Sequence, residues 1–205
     1  GFVAIGDFNN DTRLDLVVAN GDSNDVSVLF NTDYIVFIKQ MMLMTGYGSQ
    51  PQSITISDFN NDDLMDIAVI NSLTYTVGIF LSCGNICFAN QVTYPTPPYL
   101  SACSIATGDF NNDTWMDIVF ANCSSDIVGI FYGQGNGSFG NVTFYQIGLS
   151  SSRYSIAIGD INNDSMEDII VANYDYNYLG VLFGYGNGTF ASIIKFPLDY
   201  SSHPF

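Results

Sequence analysis

Basic residues are scarce in this sequence. Lys and Arg total 4 against 20 Asp and Glu, which gives a formal net charge of −16. Because nucleic acids and anionic membranes are bound by clustered Lys and Arg, this composition excludes both as main partners. The excess of carboxylates makes cations the expected counterpart.

Long hydrophobic runs are also missing. The most apolar stretch, 34–44, is broken by Lys39 and Gln40. It falls short of the roughly 20 apolar residues that cross a bilayer as a helix, so we expect a soluble chain with no direct membrane insertion. The sequence starts at Gly1 without a basic and then apolar leader, and we expect a mature or excised piece of a longer protein.

Histidine occurs once, as His203 beside Pro204. Hydrolysis and acyl transfer need a base next to a nucleophile, and no motif surrounds this residue. We therefore expect no catalytic residues and no enzymatic activity in this chain.

What the sequence does contain is an internal repeat. Apolar residues make up 47% of the chain, enough for a buried core, and a nonapeptide of the form D-x-N-x-D-x-x-x-D recurs every 51 residues. It occupies 7–15, 58–66, 109–117 and 160–168. The chain therefore holds one array of four repeats, at about 1–51, 52–102, 103–153 and 154–205.

Each repeat contains four runs of β-type residues. The first two flank the nonapeptide, and the third leads into a hairpin that is rich in glycine in repeats 3 and 4, at 133–137 and 184–188. A fourth, aromatic run follows, as at 139–147 and 190–196. The expected first runs are 2–6, 53–57, 104–108 and 155–159, the second 16–19, 67–70, 118–121 and 169–172, and the third 26–30, 77–81, 128–132 and 179–183.

Four short antiparallel strands in a repeated unit are typical of a β-propeller blade. A β-sandwich with turn-rich loops is the alternative, but it gives no reason for a constant 51-residue period. Kelch repeats are expected to contain Gly-Gly pairs and WD repeats Trp-Asp pairs, and the sequence has neither. We predict an all-β fold, a propeller of four four-stranded antiparallel blades that either close into a ring or belong to a longer propeller.

The nonapeptide has the chemistry of a site for a hard cation. Carboxylates at positions 1, 5 and 9, an amide oxygen at position 3 and a backbone carbonyl at position 7 form an all-oxygen set with a formal charge of −3, which suits Ca²⁺. The alternative is that Asp and Asn simply form good turns. Four copies of three neighbouring carboxylates would repel without a cation, so we predict about four structural calcium ions.

The repeat resembles the FG-GAP or VCBS family, which includes the integrin α-chain propeller. The resemblance rests on repeat 4, at 156–160, 168–173 and 179–190, and extends over the whole chain. It implies calcium at matching positions of every loop. With the residue at position 7 contributing only its backbone carbonyl, the expected ligands are Asp7, Asn9, Asp11, Arg13 and Asp15; Asp58, Asn60, Asp62, Leu64 and Asp66; Asp109, Asn111, Asp113, Trp115 and Asp117; and Asp160, Asn162, Asp164, Met166 and Asp168.

The loops depart from the family at positions 4 and 6, where the family usually has glycine. Position 4 is Asn in all four repeats, and Asn tolerates a left-handed backbone. Position 6 is Thr12, Asp63, Thr114 or Ser165, and Thr tolerates that conformation poorly. This departure puts the loop geometry and the calcium affinity in doubt.

The four cysteines are expected to form two disulfides. Cys103 and Cys123 are each 10 residues from Asp113 and face each other across an antiparallel strand pair, while Cys83 and Cys87 flank Asn85 in a hairpin. Four buried thiols are the alternative.

Seven glycosylation sequons occur, and those on or beside exposed hairpins, at Asn136, Asn141 and Asn187, are the better acceptors. Together with disulfides and calcium loops, they predict an extracellular protein, either secreted or the ectodomain of a cell-surface protein.

By strand alternation, the loops between the second and third strands and the connections between blades lie at the end of each blade opposite the nonapeptides. This end contains many tyrosines, which are common anchors of recognition surfaces. We expect partner binding at Tyr75, Tyr99, Tyr154, Tyr174 and Tyr176, although each could instead pack between blades. The leading hypothesis is an adhesion or binding module for a protein or glycan. The alternatives are a lectin and a non-catalytic part of a larger secreted enzyme.

Overall fold

The computed structural model describes residues 2–32, 37, 39–84, 86–97, 101–123, 125–148, 154–175 and 177–199. Within these ranges the chain forms sixteen β-strands and no helix, and therefore no helix able to cross a membrane. The strands are β1 (Val3–Gly6), β2 (Asp15–Asn20), β3 (Asp25–Phe30), β4 (Lys39–Met44), β5 (Pro51–Ser57), β6 (Asp66–Asn71), β7 (Thr76–Phe80), β8 (Val92–Pro95), β9 (Ala102–Gly108), β10 (Asp117–Asn122), β11 (Ile127–Phe131), β12 (Thr143–Gln146), β13 (Tyr154–Gly159), β14 (Asp168–Asn173), β15 (Tyr178–Leu182) and β16 (Ile194–Pro197).

Each repeat folds into one four-stranded antiparallel sheet in which sequential strands are neighbours. The register of the first hairpin is the same in every repeat, because the Gly before the nonapeptide pairs with the Asp at its ninth position. These pairs are Gly6 with Asp15, Ser57 with Asp66, Gly108 with Asp117 and Gly159 with Asp168, repeat 2 having Ser in place of Gly. The predicted all-β fold of four four-stranded sheets is confirmed.

The fourth strands are shorter than predicted. In repeat 3 the expected run 139–147 contains only β12, and Phe139 forms an isolated bridge with Gly133 that closes the third hairpin. Phe190 does the same with Gly184 in repeat 4. The phenyl rings are buried, so these residues leave the strand to fill the core.

The chain divides into two compact units, Gly1–Pro98 and Tyr99–Phe205, and each contains two repeats. In the first unit, Phe8, Val17 and Val28 of repeat 1 pack with Ile54 and Ile67 of repeat 2. In the second unit, a matching core joins the sheets of repeats 3 and 4, with members Phe110, Val119, Ile130, Ile169 and Leu182. Each core thus lies between two neighbouring sheets.

Because neighbouring strands are antiparallel, successive connections of each sheet lie at alternate ends of the sheet. The nonapeptide joins the first strand to the second, and the third hairpin lies at the same end because the strands alternate. The connection from the second strand to the third lies at the opposite end. Each sheet therefore has a nonapeptide end and an opposite end, and the acidic residues are concentrated at the first.

Candidate functional site

The nonapeptide loops are built from hydrogen bonds between their own side chains and backbone. In repeat 3, Asp109 Oδ1 accepts from the backbone N–H of Asp113 at 3.1 Å, and its Oδ2 accepts from Thr114 N–H at 2.8 Å. Asp113 Oδ1 in turn accepts from Trp115 N–H at 2.9 Å. The other three loops contain the same bonds. The loop geometry is therefore the same in all four repeats.

The ninth position ties each loop to the third hairpin. Asp117 is fully buried, its Oδ2 accepts from Phe110 N–H at 3.0 Å, and its Oδ1 accepts from Gly133 N–H at 2.8 Å. Asp15, Asp66 and Asp168 make the equivalent two bonds. This carboxylate thus joins the nonapeptide loop to the third hairpin, and it is also an expected calcium ligand.

The carboxylates of a loop influence one another electrostatically. Burial raises the pKa of Asp66 to about 7, the backbone N–H groups of Ser82 and Phe59 partly offset this, and the negative charges of Asp62 and Asp58 add to it. The pKa of Asp117 is raised to about 7 by the same balance of causes. Burial also raises the pKa of Asp15. A bound cation would offset both the free-energy cost of burying a charged carboxylate and the repulsion between neighbouring carboxylates.

Positions 4 and 6 adopt the left-handed backbone that the family achieves with glycine. In repeat 3, Asn112 has φ of 60° and Thr114 has φ of 70°, and the other loops match them. Residues other than glycine therefore hold the left-handed conformation at both positions in all four loops. For the β-branched Thr12 and Thr114 this conformation is strained.

The ligand set fits a hard cation in chemistry, since each loop supplies carboxylate and amide oxygens, the ligands that Ca²⁺ prefers. It is not preassembled, because the described residues include no group of three or more Asp, Glu, His or Cys side chains placed to hold one metal ion. Calcium would therefore have to draw the carboxylates of positions 1 and 5 toward position 9.

The side chain at position 7 contacts the third hairpin rather than the carboxylates in three of the repeats. A Cβ on Gly84 would lie 3.7 Å from Leu64, and Gly135 and Gly186 are likewise covered by Trp115 and Met166. In repeat 1 the residue is Arg13, whose Nη1 lies 3.3 Å from Asp11 Oδ2. The first loop thus carries an internal cationic partner.

Both predicted disulfides are present. Cys103 and Cys123 bridge β9 and the end of β10, with their Cα atoms 5.8 Å apart. Cys83 and Cys87 close the third hairpin of repeat 2, with Cα atoms 5.2 Å apart. No free cysteine remains.

The sequons fall into different environments. Asn136 and Asn187 are exposed, and their Oδ1 atoms accept hydrogen bonds from the backbone and hydroxyl of Ser138 and Thr189. Asn141 is also exposed. Asn122, by contrast, is fully buried.

The tyrosines expected to bind a partner are not equivalent. Tyr154 lies in the core of the second unit, with its hydroxyl 3.1 Å from Asp126 Oδ1, so its ring is not part of an accessible surface. Tyr75 and Tyr174 are half-buried. Tyr99 and Tyr176 lie outside the described residues.

A cavity of about 670 Å³ in the first unit was not anticipated from the sequence. It lies at the end opposite the nonapeptides, between the β2–β3 connection and the segment that enters β5. Its polar lining comes from Asn20, Asp22, Ser23, Gln50 and Gln52, and Phe2 adds an aromatic ring.

Several solved β-propellers share this fold. The chain superposes on an Agrocybe aegerita lectin that recognises non-reducing terminal N-acetylglucosamine, with a TM-score of 0.69 and 16% identity over 95% of this chain and 51% of the lectin. Virginiamycin B lyase from Staphylococcus aureus gives a TM-score of 0.69 at 19% identity over 98% of this chain and 57% of the lyase. Periplasmic gluconolactonase of Pseudomonas aeruginosa gives 0.69 at 13% identity over 95% and 53%.

This chain thus spans about half the length of the propellers it matches. No curated protein matches it significantly. The family model for the FG-GAP-like repeat matches residues 7–69 and 109–171, which is more than half of the chain and contains all four nonapeptides. The chain belongs to the FG-GAP-like repeat family.

Proposed function

We propose that this chain is a calcium-binding, extracellular β-propeller array that acts as a non-enzymatic binding module for a protein or glycan, with calcium in a structural role. The observation that carries the calcium assignment is the electrostatic coupling of three carboxylates in one loop. In repeats 2 and 3, burial raises the pKa of Asp66 and Asp117 to about 7, and the charges of the other two carboxylates in the loop raise it further. A divalent cation offsets that repulsion.

The expected contribution of each ion is modest. A site with the roughly 0.1 mM affinity of extracellular modules gains about 1.5 kcal/mol in about 1.5 mM calcium. Four such sites together would rival the whole stability of a typical domain. The ions would act by joining the carboxylates of positions 1 and 5 to the buried position 9, and through it to the third hairpin.

The test uses the full chain, melted in calcium and in excess chelator. We expect Asp109→Asn with Asp113→Asn to lower Tm in calcium and to leave it nearly unchanged in chelator. Asp22→Asn with Asp199→Asn removes the same charge from exposed positions outside the loops and should not alter the calcium response. Equal losses with and without calcium would contradict the site.

A terbium titration isolates one loop. Trp115 is the only tryptophan and stands at position 7 of the third nonapeptide, so luminescence excited through tryptophan reports mainly that site. We expect a saturable signal that calcium displaces and that the Asp109 and Asp113 double variant lacks. No sensitised signal in the wild-type chain would remove the main support for the proposal.

The extracellular assignment is supported by the two disulfides, which persist in oxidising compartments. It is supported further by the exposed sequons at Asn136, Asn141 and Asn187. Secretion from eukaryotic cells followed by glycosidase digestion tests this point. A chain that leaves the cell without any mass shift on digestion would not be a glycoprotein.

For the partner, the cavity in the first unit favours a glycan. The cavity contains amides, a hydroxyl and a carboxylate that could hydrogen-bond to sugar hydroxyl groups. The Phe2 ring beside them offers an aromatic face on which a sugar ring could stack. The lectin among the structural neighbours supports this by analogy of fold. A glycan array with wild type and Gln52→Ala should give hits that the variant loses, with Tyr47→Ala as the exposed control. An array without hits would favour a protein partner.

A further inference from the structure

Position 8 of the nonapeptide carries a charge in one repeat only. It is Glu167 in repeat 4, whereas the first three repeats have the apolar residues Leu14, Met65 and Met116. Glu167 is half-buried, and a half-buried carboxylate is more costly than the methionine found at this position in repeats 2 and 3. Its surroundings therefore bear on what the charge does.

The fold places position 8 of one repeat against the preceding repeat of the same unit. In the first unit, a Cβ on Gly6 would lie 3.7 Å from Met65 Cγ. In the second unit, a Cβ on Gly108 would overlap Glu167 Oε2. The carboxylate of Glu167 thus occupies the space of the side chain that Gly108 lacks.

This space adjoins the third nonapeptide, 109–117. Gly108 is paired with Asp117, the ninth position, and directly paired residues of antiparallel strands project to the same face of a sheet. The Glu167 carboxylate therefore lies on the face that carries the Asp117 side chain. Burial raises the pKa of Glu167, the backbone N–H of Asp109 lowers it, and the charge of Asp109 raises it. Glu167 is thus also next to the first position of this loop.

One oxygen of Glu167 is unsatisfied. Within the described residues, Oε2 is buried and accepts no hydrogen bond. A buried carboxylate oxygen without a partner costs free energy, and a cation beside it would remove that cost.

Two further contacts hold repeat 4 against the third nonapeptide. Asn112 Nδ2 donates to Met166 Sδ at 3.4 Å. The backbone N–H of Gly188 donates to the carbonyl of Phe110 at 2.9 Å. Glu167 is therefore presented to this loop by a packed neighbour.

We propose that Glu167 adds a fourth carboxylate to the calcium site of the third nonapeptide, so that two repeats form this site together. The inference rests on the proposed calcium binding. Its charge acts on the same ion as Asp109, Asp113 and Asp117 and strengthens binding there. Because the Coulomb energy of one added charge grows with the charge of the cation, Tb³⁺ gains more from Glu167 than Ca²⁺ does.

The test is a terbium titration of the full chain read through Trp115, which lies in the third nonapeptide. We expect Glu167→Gln to weaken Tb³⁺ binding by about tenfold, with a smaller loss for Ca²⁺ measured by displacement. Glu167→Met, which recreates the residue of repeats 2 and 3, should lose as much. Asp199→Asn removes the same charge from an exposed position of the same unit and should leave both affinities unchanged.

Unfolding in chelator separates cation binding from folding. Neither substitution of Glu167 should lower Tm there, because each removes a buried charge. Gly108→Ala is an independent variant whose methyl group displaces the Glu167 carboxylate. It should weaken terbium binding in the wild type and add no further loss to the Glu167→Met chain.

The outcomes distinguish this inference from the calcium assignment on which it rests. Terbium binding of wild-type strength in both Glu167 variants overturns the inference and leaves the calcium site standing. An equal loss in Asp199→Asn, an equal loss for Tb³⁺ and Ca²⁺, or a lower Tm of the Glu167 variants in chelator also overturns it. A wild-type chain without a terbium signal overturns both.

Discussion

The nonapeptide loops and the third hairpins lie at the same end of each sheet but tolerate sequence change differently. All four loops keep Asp, Asn, Asp and Asp at positions 1, 3, 5 and 9 and make the same hydrogen bonds. The third hairpin keeps its shape with different residues. In repeat 2 it is Cys-Gly-Asn-Ile-Cys, and in repeat 3 it is Gln-Gly-Asn-Gly-Ser.

The hairpins reach one geometry by two chemical routes. The backbone N–H of residue 83 donates to the carbonyl of residue 87 at 3.0 Å, and residues 134 and 138 are joined in the same way at 3.0 Å. Ile86 and Gly137 both have positive φ, 63° and 78°. The third hairpin of repeat 2 is closed by a disulfide. That of repeat 3 is closed by Asn136, whose side-chain oxygen accepts a hydrogen bond from the backbone N–H of Ser138. The hairpin is therefore closed in two different ways, whereas every nonapeptide loop is closed by the same set of Asp side chains.

The largest effect is expected from removing a ninth-position carboxylate. Asp66→Ala leaves the buried N–H groups of Phe59 and Ser82 without an acceptor, and we expect a loss of about 3 kcal/mol in the free energy of unfolding. Asp62→Ala removes an exposed acceptor and should cost about 1 kcal/mol. Urea unfolding in chelator, where no bound ion contributes, measures both. Equal losses would mean that burial does not distinguish the two positions.

Removing the hairpin disulfide should come next. Cys83→Ser with Cys87→Ser is expected to cost about 2 kcal/mol, since the closed loop is short. Adding Ile86→Gly to that pair recreates the glycine of repeat 3 and should recover about 1 kcal/mol, because an isoleucine in the left-handed region is strained. Thermal unfolding of the wild type, the double cysteine variant and the triple variant measures both the loss and the recovery. No recovery would mean that the two hairpins are not interchangeable.

Within the loops, glycine at position 6 should stabilise. Thr12→Gly and Thr114→Gly replace β-branched residues at φ of 68° and 70°, and each should add about 1 kcal/mol. Asn10→Gly is the matched control and should change little, because Asn tolerates this conformation. Glycine keeps the backbone N–H that donates to position 1, so an absence of any gain in urea unfolding would mean that the left-handed threonines are not appreciably strained.

A dependence on pH, rather than a substitution, tests the same buried carboxylates. The folded pKa of Asp66 and Asp117, about 7, lies above the ordinary 3.8, so the folded state binds protons more tightly than the unfolded state. In chelator, Tm should therefore fall as pH rises from about 4 through 7. Calcium competes with these protons, so its stabilising effect should grow over the same range. A flat Tm in chelator would contradict the raised pKa values.

The repeat period, the strands around each nonapeptide and both disulfides could be predicted from the sequence, because a 51-residue period places equivalent residues in equivalent positions. The left-handed Thr12 and Thr114 could not, since propensity alone disfavours them and the loop's hydrogen bonds hold them there. Packing between blades was an open alternative for each of the five tyrosines, but the sequence could not single out Tyr154, because its burial depends on contacts between the sheets of repeats 3 and 4. The cavity beside Phe2 could not be predicted either, because its lining joins the β2–β3 connection to the segment that enters β5, which are far apart in the sequence.

The placement of the acidic residues also bears on how a partner approaches. Fourteen of the 20 carboxylates belong to the nonapeptides, so negative charge is gathered at one end of every sheet. A field of that form orients an incoming cationic molecule before contact, and its influence on the encounter rate weakens as ionic strength rises. An occupied set of calcium loops would weaken that field, so the metal content of the surroundings would govern how quickly a positively charged partner arrives.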